Sequence, residues 1–449
     1  MIDITQEIFK AYDIRGIYPE EINEETVYRI AQAYVAFVKP KQVVVGKDVR
    51  LSSPSLWQAA ADGITDLGVN VVDIGTISTD MLYFAVAKYG YDGGITISAS
   101  HNPVQYNGIK VVREKAIPVS SDTGLKDILQ IVLTSKKRAG GKKGRIIKKE
   151  IMEDYLSHVR SFIDIGSVKP LKVVANANFG LAGEVAEKLT GDMPLEIIGI
   201  NFTPDGSFPK GRPDPLVPEN RQETINSIKE TGADFGVAWD ADADRCFFFD
   251  ETGEFVQGYF ITALLSKIFL KKYPGSKIIF DPRLTWANID TVRENGGIPI
   301  INKCGHSFFK DRMRREDAVF AGEMSAHYYF RDNFYADNGM IPFMIMLETL
   351  SITGMTLSQL LSPLKNKYFV SGEINKAVKN TRKILEDIEN KYREATVDHL
   401  DGLSIEYPDW RFNVRPSNTE PLLRLNLEAK SKNLMEEKRD EVIQLIQNK

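Results

Sequence analysis

The sequence predicts an α/β protein with three similar βαβ-based domains, built on mixed sheets around a central cleft, and a smaller α+β domain at the C-terminus. An apolar β-branched run, a helical pattern and a second apolar run recur three times in the same order, which is typical of βαβ units with parallel strands. The 449 residues are too many for a single small domain. Residues 367–449 lack the repeat and have a different pattern of helices and strands.

The three copies of the repeat differ in length but keep the same order. The first is QVVVGKDVR, SPSLWQAAADGITDLG and VNVVDIGTIST; the second is LKVVANANFG, LAGEVAEKLTG and LEIIGINFTPDG; the third is KIIFDPRL, TWANIDTVRENGG and IPIINKCGHS. Parallel βαβ units place their ligand-binding loops at the C-terminal ends of the strands. We therefore expect the three domains to offer loops to one shared cleft.

Changes in this pattern predict the domain boundaries, with domain 1 at 1–148, domain 2 at 149–248, domain 3 at 249–366 and domain 4 at 367–449. The lysine-rich stretch 135–150 is expected to be a solvated connection or a hairpin tip. No aromatic residues alternate with its basic ones, as they would in a nucleic-acid-binding patch. In domain 4, NTRKILEDIENKYREA predicts a charged helix, WRFNVR and LLRLNLEA predict strands, and an amphipathic helix ends the chain.

The composition is that of an ordinary globular protein, with 43% hydrophobic residues, 26% charged residues and a net charge of -4. This charge gives no reason to expect a nucleic-acid or membrane partner. The two cysteines, Cys246 and Cys304, lack the spacing of metal or redox sites and are expected to be small buried residues in a reducing compartment. The acidic N-terminus does not resemble a signal peptide, so we expect a cytoplasmic protein.

The stretch FGVAWDADADRCFFFD places Asp240, Asp242 and Asp244 between two apolar strands. Alternation in an extended chain would point all three side chains the same way. At spacings of about 5 Å and an effective dielectric of about 20, each pair of carboxylates would repel by about 3 kcal/mol, which a divalent cation would reverse. Clustered carboxylate oxygens favour a hard cation, so the sequence predicts a Mg²⁺ site.

Two alternatives remain open for the aspartates. An EF-hand begins with the same Asp-x-Asp-x-Asp pattern and would place Glu251 at its twelfth position, but Arg245 replaces the turn glycine. The second alternative is a solvated acidic turn between two strands. Arg245 argues against it, because an arginine directly after the aspartates is a ready phosphate ligand.

A second polar segment, RPSNTEPLLR, has proline on both sides, which prevents a helix. Its hydroxyl, amide and guanidinium donors are well suited to a phosphate, although an ordinary Ser/Asn turn is an equal alternative. The donors are Arg415, Ser417, Asn418, Thr419 and Arg424.

Isolated residues near strand ends give weaker signals. Arg15, Lys47, Arg50 and Lys110 are each expected, taken alone, to be surface charges.

His306 in CGHS is predicted to lie on a glycine-flanked loop, where its imidazole could serve acid-base chemistry or be structural. Glu323, Ser325 and His327 in GEMSAH lie close together, as in a carboxylate site that holds sugar hydroxyls or in a strand-edge turn.

The stretch TISASHNP sets Ser100 beside His101. In an extended segment the two side chains would point to opposite sides, so we expect no hydrogen-bonded pair. Asn102-Pro103 keeps the chain out of a helix and holds the serine on a loop. Ser100 is therefore not expected to be the nucleophile of a catalytic triad.

Five long motifs, in order along essentially the whole chain, resemble those of the α-D-phosphohexomutase family. They are KAYDIRG, TISASHNPVQYNGIK, AWDADADRCFFFDETGEFVQGY, AGEMSAHYYFRD and DWRFNVRPSNTEP. The members of this family are four-domain enzymes that move phosphate between C1 and C6 of hexoses. Within the family, the chain is most similar to bacterial members that act on mannose phosphates.

Position by position, the resemblance implies that Ser100 bears the transferable phosphoryl group, whose oxygen joins Asp240, Asp242 and Asp244 as a Mg²⁺ ligand. It implies that Lys110 or His306 transfers a proton. Alanines 241 and 243 stand where many relatives have glycine, which slightly restricts the loop. The family positions that recognise the sugar correspond to Glu323, Ser325 and His327. Those that bind the phosphate correspond to Arg415, Ser417, Asn418, Thr419 and Arg424. Those around the reacting phosphate or the sugar correspond to Arg15, His101, Lys110, Arg245, Arg283 and His306.

The reaction that the resemblance implies is the interconversion of mannose 6-phosphate and mannose 1-phosphate. It proceeds through a phosphoserine and a bound hexose 1,6-bisphosphate, which is also the activator, with glucose phosphates as further substrates and GDP-mannose synthesis as the use of the product. A metal-dependent sugar-phosphate phosphatase is the alternative enzyme, and it would release phosphate faster than it isomerises. A sugar-phosphate sensor would bind ligand without phosphorylation of Ser100. The oligomeric state is not predicted.

Overall fold

The structure is a computed structural model that describes residues 4–135, 141–416 and 422–447. The chain divides into two units, each made of two segments. Unit 1 contains Met1–Phe255 and His327–Thr356, and unit 2 contains Val256–Ala326 and Leu357–Lys449.

The helices and strands follow one another along the chain in four groups. The first group is β1 (Ile14–Ile17), α1 (Glu24–Val38), β2 (Gln42–Lys47), α2 (Ser53–Thr65), β3 (Asn70–Thr76), α3 (Thr79–Lys88), β4 (Gly93–Ile97), β5 (Tyr106–Arg113), α4 (Lys126–Thr134) and β6 (Ile146–Lys148). The second is α5 (Met152–Arg160), β7 (Leu171–Asn176), α6 (Ala182–Thr190), β8 (Leu195–Ile200), α7 (Gln222–Thr231), β9 (Phe235–Trp239), β10 (Cys246–Phe249) and β11 (Phe255–Val256). The third is α8 (Gly258–Lys272), β12 (Lys277–Phe280), α9 (Trp286–Glu294), β13 (Ile298–Ile301), α10 (His306–Glu316), β14 (Phe320–Gly322), β15 (Tyr328–Phe330), β16 (Ala336–Asp337), α11 (Met340–Thr353) and α12 (Leu357–Lys365). The fourth is β17 (Phe369–Ala377), α13 (Thr381–Lys391), β18 (Thr396–Asp398), β19 (Leu403–Glu406), β20 (Trp410–Pro416), β21 (Leu422–Ala429) and α14 (Lys432–Gln447).

The first sheet of unit 1 is mixed, with the strand order β1-β5-β4-β2-β3-β6. The repeat β2-α2-β3 has parallel strands, as predicted, while β5 is antiparallel to β4 and β1. Local signals place the helices: the Asn23 side chain accepts a hydrogen bond from the Thr26 backbone and caps α1, and a proline lies in the first turn of α2. Buried aliphatic and aromatic side chains of these helices and strands form the core of this region.

The segment 135–150, predicted to be a solvated connection or hairpin tip, includes a strand. Within it, Ile146–Lys148 form β6, which pairs in parallel with β3 and is exposed along its length. Residues 136–140 lie outside the described residues.

The second sheet has the order β11-β10-β9-β7-β8, and the repeat β7-α6-β8 again has parallel strands. β9 and β10 are antiparallel neighbours joined by the aspartate-rich segment. Cys246 opens β10 and is fully buried, as expected. The predicted boundary between residues 248 and 249 lies inside β10. The antiparallel strands β15 and β16 and helix α11 complete unit 1.

Unit 2 contains the third copy of the repeat, with β12 parallel to β13 and to β14. The C-terminal strands of unit 2 form an antiparallel sheet with the order β17-β21-β20-β19-β18. Apolar residues of α13 and α14 pack on this sheet, so the helices and strands predicted for residues 367–449 are confirmed.

Within unit 2, the carboxylate of Glu428 is a fully buried hydrogen-bond acceptor on β21. It accepts hydrogen bonds from the backbone N–H groups of Thr285 at 2.7 Å and Trp286 at 3.2 Å, and from the hydroxyl of Tyr259. The guanidinium of Arg411 lies 3.0 Å from the same carboxylate. Glu428 therefore links the C-terminal sheet to the start of α9 and to α8.

We expect the substitution Glu428→Ala to lower the free energy of unfolding by about 3–5 kcal/mol, because it removes the buried carboxylate facing Arg411 and leaves buried donors without an acceptor. Urea unfolding followed by circular dichroism measures the change. Glu386→Ala is the control, since the Glu386–Arg382 pair is exposed and is expected to contribute less than about 1 kcal/mol. Equal shifts in the two variants would contradict this role of Glu428.

Among the described residues, no single helix combines the length and apolarity that a bilayer-spanning helix needs. The consecutive helices α11 and α12 meet these criteria only as a bent pair, by length and composition alone.

Candidate active site

The loop that carries Ser100 joins β4 to β5 and is a tight turn. Ser100 has φ 50°, in the left-handed region, and the backbone N–H of Asn102 donates to the Ala99 carbonyl at 3.0 Å. The Ser98 hydroxyl accepts a hydrogen bond from the Ser100 N–H at 3.0 Å. Ser100 is buried. The prediction of a loop is therefore confirmed, and the assumption that this loop is extended is wrong.

The turn changes the relation between Ser100 and His101. The Ser100 Oγ lies 3.1 Å from His101 Nδ1, so the expectation that the two would not form a hydrogen-bonded pair is wrong. The physical reason is the left-handed backbone at Ser100, which places successive side chains on one side. Burial and the guanidinium groups of Arg245 and Arg15 hold the pKa of His101 well below its usual range. Its imidazole is therefore neutral.

Arg50 binds the backbone of the Ser100 loop and is almost fully buried. This burial corrects the expectation that Arg50 is a surface charge. Its guanidinium donates to four backbone carbonyls of the loop. These belong to Ser100 at 2.7 Å, Asn102 at 2.6 Å, Pro103 at 2.9 Å and Tyr106 at 3.0 Å.

A second contact of Arg50 involves the segment after β8. The guanidinium lies 4.9 Å from the Phe208 ring centroid, and Arg50 forms an isolated backbone bridge with Gly206. A Cβ at Gly206 would lie 2.0 Å from the Val49 carbonyl oxygen, so only glycine allows this approach. The motif GKDVRLSSP was the only sequence signal for Arg50.

The three aspartates lie on a turn between β9 and β10. The expectation that residues 240–245 are extended, with alternating side chains, is wrong. Within this segment only Arg245 takes part in a backbone bridge. Ala243 has φ 54°, a conformation that favours glycine, whereas Ala241 does not have a positive φ. The restriction expected from the two alanines therefore applies at Ala243.

The turn brings the carboxylates together. Oxygen atoms of Asp240, Asp242 and Asp244 lie within 4.8 Å of one another, and all three residues are buried. Burial and the charge of Asp242 raise the pKa of Asp244 to about 6. The Oδ1 atoms of Asp242 and Asp244 are buried and accept no hydrogen bond from the described residues. These oxygens fit a hard divalent cation, which would supply the missing positive charge and the missing contacts.

Two further groups of side chains also have ligand atoms within 4.8 Å of one another. One is Asp244, His327 and Asp337, and the other is Asp281, Cys304 and Glu323. In the second group, the guanidinium of Arg283 already pairs with Asp281. We assign a cation only to the three aspartates of the turn.

Lys110 of β5 is buried against the aspartates, which corrects the expectation of a surface charge. Its Nζ lies 2.7 Å from Oδ2 of both Asp242 and Asp244. Burial opposes the charge of the ammonium, but the two carboxylates outweigh it and raise the pKa of Lys110 well above its usual value. Lys110 is therefore an ammonium that the two carboxylates stabilise in its charged form.

Thr79, at the start of α3, was not predicted from the sequence. Its hydroxyl donates to Oδ2 of Asp242 at 2.5 Å, and its backbone N–H donates to the Asp242 carbonyl at 2.9 Å. The Lys110 ammonium donates to the same hydroxyl at 3.3 Å. Thr79 therefore fixes the orientation of Asp242. A Ser-Thr pair before a helix is too common to have identified it.

Two arginines of unit 1 also contact the turns. Arg245 Nε donates to Asp240 at 2.8 Å, and its NH1 lies 3.2 Å from Asp214. Arg15 is ion-paired with Asp13 and donates to the Asn102 side chain at 2.5 Å.

His327 belongs to unit 1 as well, and its Nε2 lies 3.6 Å from Asp244 Oδ1. Unit 1 thus brings together a set of residues predicted from the sequence, namely Arg15, Ser100, His101, Lys110, Asp240, Asp242, Asp244, Arg245 and His327.

Unit 2 contains the other predicted residues. The Arg283 guanidinium forms two hydrogen bonds with Asp281, at 2.9 and 2.8 Å. The same Asp281 accepts from the Met324 backbone at 2.7 Å, so it connects Arg283 to the GEMSAH loop, which also contains Ser325. Glu323 is buried and accepts a hydrogen bond from the Gly305 backbone at 2.9 Å.

His306 is the first residue of α10, so the expectation that it lies on a loop is wrong. Its Nδ1 lies 3.4 Å from Lys310 Nζ, one helical turn further. Gly305 is the N-cap residue of α10.

The predicted phosphate-binding segment is described at its two ends. Arg415 lies on β20 and Arg424 on β21, and the two residues are opposite each other in the antiparallel pair. Ser417, Asn418 and Thr419 lie outside the described residues.

Sequence models of known protein domains match four consecutive segments of the chain. They are described as phosphoglucomutase/phosphomannomutase alpha/beta/alpha domain I over residues 6–139, domain II over 153–253, domain III over 257–368 and the C-terminal domain over 373–445. The chain belongs to the phosphoglucomutase/phosphomannomutase family. The predicted resemblance and the fold class are thereby confirmed. Members of the phosphoglucomutase/phosphomannomutase family act on phosphorylated sugars and depend on a metal ion.

Relatives within the phosphoglucomutase/phosphomannomutase family align over nearly the full chain. A curated phosphomannomutase of Escherichia coli is 45% identical, and one of Vibrio cholerae is 47% identical, each covering 98% of both proteins. A crystal structure of a family protein from Burkholderia thailandensis superimposes with a TM-score of 0.89 at 32% identity, covering 99% of this chain and 98% of that one. Phosphomannomutases are isomerases, so the comparisons do not support the phosphatase alternative.

Proposed function

We propose that the protein is a phosphomannomutase that interconverts mannose 6-phosphate and mannose 1-phosphate through a phosphoserine at Ser100. One observation carries this proposal: the Ser100 hydroxyl donates to Asp240 at 3.1 Å, beside buried carboxylate oxygens that lack partners among the described residues. A serine activated only by an imidazole would not need three carboxylates. A divalent cation beside that serine would offset the negative charge of the carboxylates and also that of a phosphoryl group on the serine.

The cation that we propose is Mg²⁺, held by Asp240, Asp242 and Asp244 together with an oxygen of phosphorylated Ser100. Its carboxylate ligands are the oxygen donors that Mg²⁺ prefers. A bound Mg²⁺ stabilises the negative charge of the transferring phosphoryl group. Thr79 and Lys110 orient two of the three carboxylates through the contacts described above.

In the proposed reaction, the bond between phosphorus and Ser100 Oγ breaks while a new bond forms to the free hydroxyl of the sugar phosphate. Lys110 and His306 are the candidate proton-transfer groups, Lys110 for the serine oxygen and His306 for the proton of the attacking hydroxyl. The product is a hexose 1,6-bisphosphate, which turns around and returns its other phosphoryl group to Ser100. His101, Arg15 and Arg245 are the further residues that we propose to surround the reacting phosphoryl group.

Substrate binding is proposed for Arg283 and for residues of the GEMSAH loop and the C-terminal domain. The sugar is bound by Glu323, Ser325, His327 and Arg283, and the non-reacting phosphate is bound by Arg415, Ser417, Asn418, Thr419 and Arg424. Guanidinium and hydroxyl groups bind phosphate oxygens through charge-assisted hydrogen bonds.

Several finer parts of the proposal depend on the same chemistry. Hexose 1,6-bisphosphate is the proposed activator, because it converts unphosphorylated Ser100 into the phosphoserine form. Glucose phosphates are proposed as further substrates, and GDP-mannose synthesis as the use of mannose 1-phosphate in the cytoplasm.

The domain boundaries 1–148, 149–248, 249–366 and 367–449 remain predictions.

The test of the proposed function is isomerisation of mannose 1-phosphate to mannose 6-phosphate by the purified chain with Mg²⁺ and glucose 1,6-bisphosphate. We expect steady conversion with no net release of inorganic phosphate, and one added phosphoryl group on the peptide that contains Ser100. Phosphate release that exceeds isomerisation, or phosphate on another residue, would refute the proposal.

The contacts of Arg50 predict a large loss of activity on a conservative change. In Arg50→Lys, a single ammonium replaces a planar guanidinium that serves four carbonyls, so the Ser100 turn shifts. A displacement of about 1 Å at a reacting atom costs about a hundredfold in rate, and we expect this loss in kcat with little change in KM.

Arg160→Lys is the control for Arg50→Lys, since Arg160 also donates to a backbone carbonyl, that of Leu189, and pairs with an aspartate. Its kcat is expected to stay near the wild-type value. An Arg50→Lys protein that loses stability but keeps its kcat would show that Arg50 supports the fold alone.

A further inference from the structure

Two arginines of the proposed phosphate-binding segment face each other across adjacent strands. Arg415 of β20 and Arg424 of β21 are directly opposite in the antiparallel register. Like charges in this position repel and destabilise a sheet. A carboxylate on the neighbouring strand would offset this repulsion.

Glu373 of β17 supplies that carboxylate. Asn375 is the residue of β17 opposite Arg424, and Glu373 lies two positions before it, after a shift in the register of β17. Residues two apart in a strand lie on the same face of the sheet. The Glu373 carboxylate lies 3.3 Å from the Arg424 guanidinium and 3.7 Å from that of Arg415.

A third arginine reaches the same carboxylate. Arg283 NH1 lies 3.7 Å from Glu373 Oε2, while the rest of its guanidinium is bound by Asp281. The two carboxylates differ in burial, because Asp281 is 3% exposed and Glu373 is 24% exposed. Asp281 is therefore a fixed partner, and Glu373 is the partner that solvent or a ligand can replace.

We propose that Glu373 is an internal counter-ion that competes with the phosphate of the substrate for Arg415 and Arg424. This inference rests on the proposed function, in which these arginines bind the substrate. A phosphate anion and the Glu373 carboxylate offer the same oxygen acceptors to the same guanidinium groups. When phosphate binds, the carboxylate turns toward solvent, and when phosphate leaves, it returns. Glu373 thereby lowers the affinity for phosphate and eases release of the bisphosphate intermediate for its reorientation.

The experiment measures the Kd of inorganic phosphate for the full chain by titration calorimetry. In Glu373→Gln, the competing charge is gone while the size of the side chain is kept, so we expect binding about tenfold tighter, which corresponds to about 1.4 kcal/mol. The KM for mannose 1-phosphate is expected to fall in the same direction. In the double variant Glu373→Gln/Arg415→Ala, the gain in phosphate affinity is expected to disappear.

Two further variants complete the test. Glu386→Gln makes the same change in net charge at the exposed pair with Arg382 and is expected to leave the Kd unchanged. Glu373→Asp keeps the charge and is expected to bind phosphate close to the wild-type level. The inference is wrong if Glu373→Gln, shown to be folded by circular dichroism, binds phosphate no more tightly than the wild type. If the wild type isomerises mannose 1-phosphate but Glu373→Gln binds phosphate no more tightly, only this inference is wrong. If Glu373→Gln binds phosphate more tightly but the wild type does not isomerise mannose 1-phosphate, only the proposed function is wrong.

Discussion

Ser100→Ala is expected to lower mutase turnover by at least about 10⁴-fold, the scale on which the loss of a covalent nucleophile lowers kcat. The reason is that Ser100 Oγ is the proposed carrier of the phosphoryl group, whereas the Thr79 hydroxyl, which also contacts the aspartates, already donates to Asp242. Removal of one buried hydroxyl leaves the rest of the loop in place, because Arg50 binds its carbonyls rather than its side chains. Turnover is measured with mannose 1-phosphate, and phosphorylation by intact mass.

The control for this substitution is Ser55→Ala, at a serine of α2 whose hydroxyl contacts the Ser52 carbonyl and the Glu24 carboxylate rather than the aspartates of the turn. It is expected to keep wild-type turnover and the added phosphate. Turnover in Ser100→Ala that stays within tenfold of the wild type would refute the phosphoserine mechanism, whatever the fate of the metal.

Asp242→Asn is expected to weaken Mg²⁺ binding and to reduce turnover by at least about a hundredfold, since a bound divalent cation supplies several kcal/mol of transition-state stabilisation. Asparagine keeps the shape of the side chain and an oxygen but removes the negative charge. Asp242 is central to the site, because it binds Thr79 and Lys110 and because its buried Oδ1 accepts no hydrogen bond from the part of the chain that the structure describes. Mg²⁺ affinity is measured directly by calorimetry, so that metal binding is separated from activity.

Asp250→Asn is the matched control for the metal site. Asp250 follows β10 in the same hairpin, and its Oδ1 accepts hydrogen bonds from Thr252 and from the Glu254 backbone. An asparagine oxygen can accept the same bonds, so Mg²⁺ affinity and turnover should stay near wild type. Equal Mg²⁺ affinities in Asp242→Asn and the wild type would show that the cation binds elsewhere.

Local sequence patterns predicted much of the fold. The three βαβ units and the C-terminal helices and strands were predicted because hydrophobic periodicity and runs of β-branched residues are local properties of the chain. The positions of the Ser100 loop and of the three aspartates followed from the strands that flank them. The motifs also identified the family, since long ordered matches over the whole chain do not depend on side-chain geometry.

The details of the site could not be predicted in the same way. An extended backbone was assumed for Ser100 and for the aspartates, but both segments are turns with a left-handed residue, at Ser100 and at Ala243. Such a conformation is unfavourable for these residues and persists only when contacts from distant segments support it. Arg50 and Thr79 supply contacts of this kind, and each comes from a different part of the sequence.

The sequence alone determined the succession of helices and strands, the candidate serine and carboxylates, and the family, because all of these depend on residue type and spacing. Only the tertiary structure decided which charges are buried and what they contact. Lys110, Arg50 and Arg15 look like surface charges in isolation, yet each contacts a carboxylate or carbonyl oxygen of a residue far away in the sequence. The physical reason is that the protonation and orientation of a charged side chain depend on its burial and its partners, and both are set by long-range packing.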